Sequence, residues 1–280
     1  MIIPDTPQPI ARVAAHYDEL DLAYRWVWGE HVHHGYWKTG RESPAEAAEA
    51  LLDLVETRLD LHAGENICDI GCGYGASAAR LATHRDVSVV GLTVSGTQQE
   101  IAQARETPGF TCLLADWLDN SLADASFDHA YAIESSEHMA DKARFFAEAR
   151  RVLRPGGRLV VCAWLEGPTV RSWEVEHLLK PICAEGRLPS MGSGADYERL
   201  AGDAGFALCE FVDISREVRR TWSICLRRLG MGLIVNRAIR RLALRSDIQS
   251  RSFMLSLPRL IVALRTGAMR YGIFTWERRA

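Results

Sequence analysis

Residues 66–76, Asn66-Ile67-Cys68-Asp69-Ile70-Gly71-Cys72-Gly73-Tyr74-Gly75-Ala76, constrain the fold more than any other stretch. A short apolar run ends in an acid and three alternating glycines, and a helix-forming run, Ser77 to Leu81, follows. This order predicts a strand, a tight turn and a helix. Glycine lacks a Cβ, so the backbone can turn sharply there and approach a ligand closely. The helix that follows offers unpaired N–H groups and the positive end of its dipole. Such a turn at the carboxyl end of a strand can hold a nucleotide-like ligand. An α/β turn that binds nothing is the other reading, but three glycines weaken a turn that needs no close approach.

The spacing is G-x-G-x-G after D-x. It is neither the G-x-G-x-x-G dinucleotide fingerprint nor a phosphate loop, which would need Gly-Lys-Ser/Thr. The stretch resembles motif I of class I S-adenosylmethionine (SAM) methyltransferases. That resemblance implies that Asp69 helps hold the methionine ammonium and that Gly71, Cys72 and Gly73 border the cofactor.

The rest of the chain supplies the alternation such a fold needs. Residues 1–10 read as a loose arm. Residues 11–28 carry apolar positions at helical spacing, among them Val13, Tyr17, Leu20 and Tyr24, and the dense aromatic and histidine run Trp28 to Trp37 follows. Ser43-Pro44-Ala45-Glu46 reads as a helix start, with Pro in the first turn, and the helix runs to about Leu61 beside the first strand. Further strands are predicted over 87–92, 110–114, 127–133, 158–165, 206–214 and 271–277, and a helix over 141–153. The whole is an α/β, Rossmann-like, mostly parallel seven-stranded sheet with helices on both faces. A helical cap is inserted between the last two strands. The expected parts are a helical lid segment over 1–62, a SAM-binding core over 63–214, a substrate cap over 215–269 and the last strand over 270–280. In the cap, Ile234, Val235, Ala238, Ile239 and Leu242 share one face of a single predicted helix, and a second amphipathic piece starts near Pro258.

Composition limits the setting. With 280 residues and 48% apolar content the chain can bury a core. Seven cysteines lie mostly in apolar runs, which reads as buried free thiols in a reducing, cytoplasmic compartment. No cleavable leader pattern and no spanning apolar stretch are evident. The net charge of −3 hides an asymmetry: residues 215–270 hold thirteen arginines, no lysine and only the acids Glu217 and Asp247. Those arginines could meet an anionic substrate head or membrane, or simply be solvated and drawn to the acidic core. No nucleic-acid-binding module is present. Monomer and homodimer both stay open.

Four strand ends carry the candidate chemistry. After strand two, Gly91-Leu92-Thr93-Val94-Ser95 with Gln98 resembles the G-x-T-x-S-x-x-Q of the tocopherol-methyltransferase and cyclopropane-synthase branch, where Thr and Gln meet the cofactor. Thr93 stands where most class I members place an acid. Asp116 and Trp117 end strand three: the acid can accept from the adenine amine and the indole can stack on the ring, or Trp117 can be core. Glu134-Ser135-Ser136-Glu137-His138-Met139-Ala140-Asp141-Lys142 resembles the E-S-x-E-H-M-x-D-K run of γ-tocopherol methyltransferases, and Trp28–Trp37 resembles their W-G-x-H-x-H-H-G segment. Glu134 is read as a cofactor residue. His138 is read as base or orienter, with Glu137 as its partner or the base itself; helix capping by Glu137 is the plainer alternative. His33, His34, Tyr36 and Glu166 are candidate substrate-side residues. No closed ligand set accompanies His31, His33 and His34, so no metal is expected. The resemblance implies transfer of a methyl group from SAM to C, O or N of a small lipophilic molecule of specialised metabolism, such as an isoprenoid, prenylated aromatic or fatty acyl compound. The alternatives are a cyclopropane-type synthase on acyl chains and a non-catalytic interaction protein of the same fold.

Overall fold

A computed structural model describes residues 1–245 and 249–280. Five strands, β1 (Asn66–Ile70), β2 (Ser88–Thr93), β3 (Phe110–Leu114), β4 (Phe127–Ile133) and β5 (Leu153–Glu166), run parallel; β6 (Phe206–Asp213) and β7 (Met269–Arg278) complete one sheet in the order β3-β2-β1-β4-β5-β7-β6. β7 is antiparallel to both of its neighbours. The order reverses between β1 and β4, and the crevice beyond their carboxyl ends is where open α/β sheets bind ligands. Alternate residues point to opposite faces. Val160, Cys162 and Trp164 therefore join one core layer, and Leu159, Val161 and Ala163 join the other.

The helices follow their local signals. In α2 (Pro44–Leu59), Ser43 and Glu46 form a reciprocal capping box, and the helix packs against β4 and β5 in the core layer it shares with Ile67 of β1. α3 (Ala76–Arg85) leaves the glycine turn, and α4 (Gly96–Gln103) is capped by Ser95. Asp141 caps α5 (Lys142–Val152), whose Phe145 and Phe146 are fully buried. β5 begins five residues earlier than the sequence suggested, because the Arg154–Gly157 turn is absorbed into the strand as a register shift against β4. The amino-terminal arm is pinned rather than loose: Ile2 is buried and exchanges two 2.8 Å backbone bonds with Met191.

Helices α6 (Ser172–Glu174), α7 (Lys180–Glu185) and α8 (Gly194–Asp203) join β5 to β6. The cap, which opens with α9 (Ser215–Val218), packs beside α1 (Ile10–Val27) and sets Trp222 edge-on to Trp164 near the carboxyl end of β5. Its single predicted helix is in fact two, α10 (Arg220–Val235) and α11 (Arg237–Leu244), because Asn236 takes an extended backbone and caps α11 with its side chain. Ile239 and Leu242 are buried as expected, whereas the break leaves Ile234 and Val235 73% and 61% exposed. α12 (Phe253–Thr266) starts before Pro258 and runs through it. Burial of Phe253, Leu257, Leu260 and Leu264 along one face offsets the hydrogen bond that Pro258 cannot make. Asp247, one of the two acids in the arginine-rich stretch, lies outside the described residues. All seven cysteines are free; Cys209, on β6, is the exposed exception to the buried pattern.

Candidate active site

Three adjoining cavities lie beyond the strand ends. The first two share Tyr17, Val32, Glu134 and His138, and the first and third share Val32, Gly71, Gly73 and Ile133. Gly71, Gly73 and Gly75 all have positive φ, +86°, +53° and +72°. A Cβ on Gly71 would lie 2.3 Å from that of Ser135, so the turn can pack on the end of β4 only with glycine. A Cβ on Gly73 would meet no atom within 4 Å, so the bare backbone there borders open space in the cavities.

Asp69 is 2% exposed and lines the third cavity, where its carboxylate accepts from the Tyr131 hydroxyl at 2.7 Å. Burial pushes its carboxyl up to about 7. His33 lines the same cavity, and its Nδ1 donates to the His34 carbonyl at 2.8 Å. Its Nε2 is buried with no protein partner, and burial holds the ring down to about 4.

Thr93, Gln98, Asp116 and Trp117 line the first cavity. The Thr93 hydroxyl donates to Gln98 Oε1 at 2.7 Å and accepts from the Ser95 N–H at 3.2 Å. Asp116 accepts from the Leu118 N–H at 2.9 Å. Trp117 lines the cavity from within the core: it is 2% exposed and its Nε1 donates to the Phe145 carbonyl. Its ring is thereby locked. Cys72 lines the third cavity with its sulfur 3.6 Å from that of Cys112.

Between the first and second cavities stands Glu134, in the left-handed region at φ +55°. It accepts four hydrogen bonds, from His34 N (2.6 Å), His34 Nδ1 (2.9 Å), Tyr271 Oη (2.8 Å) and Trp164 Nε1 (3.1 Å). Burial alone would raise its pKa, but His34, through its ring and its backbone N–H, and the nearby His33 pull it down to about 2. Trp164 and Tyr271 are cross-strand neighbours in the β5–β7 register, which is why both reach it. A non-glycine residue at positive φ is held only where its surroundings over-determine it, and this network supplies that.

His138 ends a single 3₁₀ turn, Ser136–His138. Its Nδ1 lies 3.2 Å from the Arg187 carbonyl, which can only accept, so Nδ1 carries the proton. Nε2 is then the acceptor, bonded by the Tyr17 hydroxyl at 2.9 Å. Burial holds the imidazole down to about 4, hence neutral at physiological pH. Glu137 is not its partner, contrary to expectation. The Glu137 carboxylate accepts from Trp164 N at 2.6 Å and Ser136 Oγ at 3.1 Å, and burial pushes it up to about 7, with buried Lys142 opposing. Aromatic side chains, Tyr24, Trp28, Trp164, Trp222 and Phe253, wall the second cavity around these groups.

Two predicted substrate residues lie elsewhere. The Glu166 carboxylate takes the amino-terminal ammonium of Met1 at 3.3 Å, and Tyr36 packs against the core with its N–H on the Ala47 carbonyl. Neither lines these cavities. His34 is buried behind them as the Glu134 donor. Tyr131, Trp164 and Tyr271 were missed; nothing local in a strand distinguishes a buried aromatic that bonds a carboxylate at the cavity wall from one that only packs. Asp18 was also missed. It ties α1 down by accepting from Ser95 Oγ (2.5 Å) and Thr97 N (3.2 Å), but in sequence it is one more helical surface acid.

Residues 5–233 match the mycolic acid cyclopropane synthetase family. The chain belongs to that family. It is a class I SAM-dependent methyltransferase of the tocopherol-methyltransferase and cyclopropane-synthase branch, and SAM is the family's cofactor. It is 36% identical to the O-methyltransferase resE of Aspergillus sclerotiorum, over 76% of this chain and 83% of that one. It is 28% identical to the chloroplastic tocopherol O-methyltransferase of Arabidopsis thaliana, over 95% and 81%. The cyclopropane synthase MmaA2 of Mycobacterium tuberculosis superposes with a TM-score of 0.84 at 25% identity, over 98% of this chain and all of that one. The methyltransferase's residues suit SAM: an open glycine cradle at Gly73, a buried acid for a cation at Asp69, and an unpartnered His33 Nε2.

Proposed function

We propose that this methyltransferase methylates a hydroxyl group of a lipophilic molecule held in the aromatic cavity of Tyr24, Trp28, Trp164, Trp222 and Phe253. The observation that carries the reading is the Tyr17–His138 pair, which lines both that cavity and the one holding Thr93, Gln98 and Asp116. The O-methyltransferase names of relatives such as resE support the acceptor class. When bound, SAM supplies an electrophilic methyl group. Asp69, Gly71, Cys72, Gly73, Thr93, Gln98, Asp116 and Trp117 hold and orient it, Asp69 taking the ammonium and Asp116 the adenine amine. The acceptor hydroxyl donates to the Tyr17 oxygen, whose own proton is already directed at His138 Nε2. As the acceptor oxygen gains the methyl carbon, its proton passes through Tyr17 to His138. The anionic Glu134 steadies the resulting imidazolium across the shared wall, and the aromatic walls exclude water. Glu137 positions the Trp164 backbone, and His34 fixes Glu134.

Residues 1–62 act as a lid: α1 lines the first cavity with Ile10, Val13 and Tyr17, and it lifts to admit ligands. Residues 63–214 and 270–280 serve as the SAM-binding core, and residues 215–269 cap the acceptor. Six buried free cysteines support a reducing, cytoplasmic setting.

Incubation with methyl-deuterated SAM and fractionated lipophilic extracts tests the reaction. An ether product keeps all three methyl deuteriums, whereas a cyclopropane loses one as a deuteron to solvent; the latter result, or SAM binding without any product, overturns the proposal. His138→Ala and Tyr17→Phe are expected to lower turnover by on the order of a hundredfold or more, with SAM affinity nearly unchanged. Wild-type turnover in both would remove the relay.

A further inference from the structure

We infer that the elbow between α10 and α11 docks on an anionic lipid bilayer. Leu233, Ile234 and Val235 form an exposed apolar run at the end of α10, and Leu244 is 79% exposed at the end of α11. Helix ends seldom present such a run to water unless something covers it. Arginine surrounds the run. Arg227, Arg237, Arg240 and Arg241 are exposed, and Arg240 Nη1 folds back onto the Ile234 carbonyl at 2.6 Å, which fixes the charge beside the apolar tip.

Attraction to the acidic core does not account for this charge. Among the described residues, no carboxylate lies within ion-pair distance of Arg219, Arg220, Arg227, Arg237, Arg240 or Arg241; the cap's ion pairs with the core are Arg259 with Glu185 and Arg270 with Asp213. Basic side chains ringing an exposed apolar tip match the interface of an anionic bilayer, where the tip enters the acyl boundary and the guanidinium groups meet phosphates.

The same face opens toward the site. An open groove of about 590 Å³ is lined by Trp26, Trp28, Arg228 and Met231, and Trp28 also walls the aromatic cavity. A bilayer against the elbow would stand beside this groove. That delivery route rests on the lipophilic acceptor proposed above; the docking does not.

Co-sedimentation of the full chain with vesicles tests the docking, and no turnover is read. The expected result is capture by phosphatidylglycerol vesicles, weakened by salt, with little capture by phosphatidylcholine. Arg237→Gln/Arg240→Gln/Arg241→Gln is expected to weaken capture by on the order of a hundredfold, with about a fifth remaining per charge removed. Ile234→Ser/Val235→Ser should also weaken it, and SAM affinity by calorimetry, which should be unchanged in both, controls for folding. Equal capture by both lipids, no capture by either, wild-type capture by both variants, or a salt-insensitive dimer formed through Ile234 and Val235 would each overturn the inference. A failed methyl-transfer assay with detergent-dispersed acceptor would bear on the acceptor proposal alone.

Discussion

If Asp69 takes the SAM ammonium as proposed, cofactor binding depends on pH. Its carboxyl is buried, has the Tyr131 hydroxyl as its hydrogen-bond partner, and is pushed up to about 7. Without the cofactor, its neutral form is therefore the favoured one below pH 7. Because the folded value is raised, the stability tied to its protonation is fully present below the ordinary carboxyl range and is lost as the pH rises through about 7. An ammonium placed against Asp69 reverses the preference, since only the carboxylate pairs with it. Binding must then release a proton whenever Asp69 begins protonated. The apparent dissociation constant scales inversely with the fraction ionised, so it should rise about tenfold between pH 8 and pH 6 and about a hundredfold between pH 8 and pH 5. Calorimetry in two buffers of different ionisation enthalpy reads both the affinity and the protons released. Asp69→Asn should flatten the profile and weaken binding at pH 8 by roughly ten- to a hundredfold, the worth of a hydrogen bond to a charged group. Glu137 is also pushed up to about 7, but it faces the aromatic cavity, so Glu137→Gln should leave the profile intact. A flat profile in the wild-type protein, or one lost in Glu137→Gln and kept in Asp69→Asn, would refute the placement of the ammonium.

Two further outcomes follow from the geometry. Glu134 is held down to about 2, so its contribution is complete above the ordinary 4.5 and is lost as the pH falls through about 2; Glu134→Ala should cost about 3 kcal/mol at pH 7, read by urea denaturation, and should leave four buried donors unmatched. Gly71→Ala places a methyl group 2.3 Å from the Ser135 Cβ at a backbone angle that favours glycine. It should lower stability by more than about 1 kcal/mol and abolish SAM binding, whereas Gly64→Ala, also at positive φ but with open space around it, should lower stability while leaving SAM affinity intact; equal affinity losses would refute the steric reading.

The chain by itself determined the architecture, and the resemblance of its glycine motif implied the cofactor class. Strand, glycine turn and helix are local events, set by missing Cβ atoms and by period-two and period-3.6 patterns, so Asn66–Ala76 and the seven strands could be read directly. Caps such as Ser43 and Asp141 are equally local. The tertiary structure decided what those residues touch. The four donors on Glu134 come from β5, β7 and the loop after α1, and no spacing rule brings them together. The separation of His138 from Glu137 arises because the 3₁₀ turn sends one side chain toward Tyr17 and the other toward the Trp164 backbone. Glu166 was misplaced for the same reason: a strand end predicts proximity to the site, but the amino-terminal arm folds onto that carboxylate first. Ionisation belongs to the tertiary level entirely. Asp69 and Glu134 are alike in sequence, yet burial without a cation lifts one to about 7 while a cage of donors and a histidine holds the other near 2, because a carboxylate's charge is governed by the atoms that replace its water.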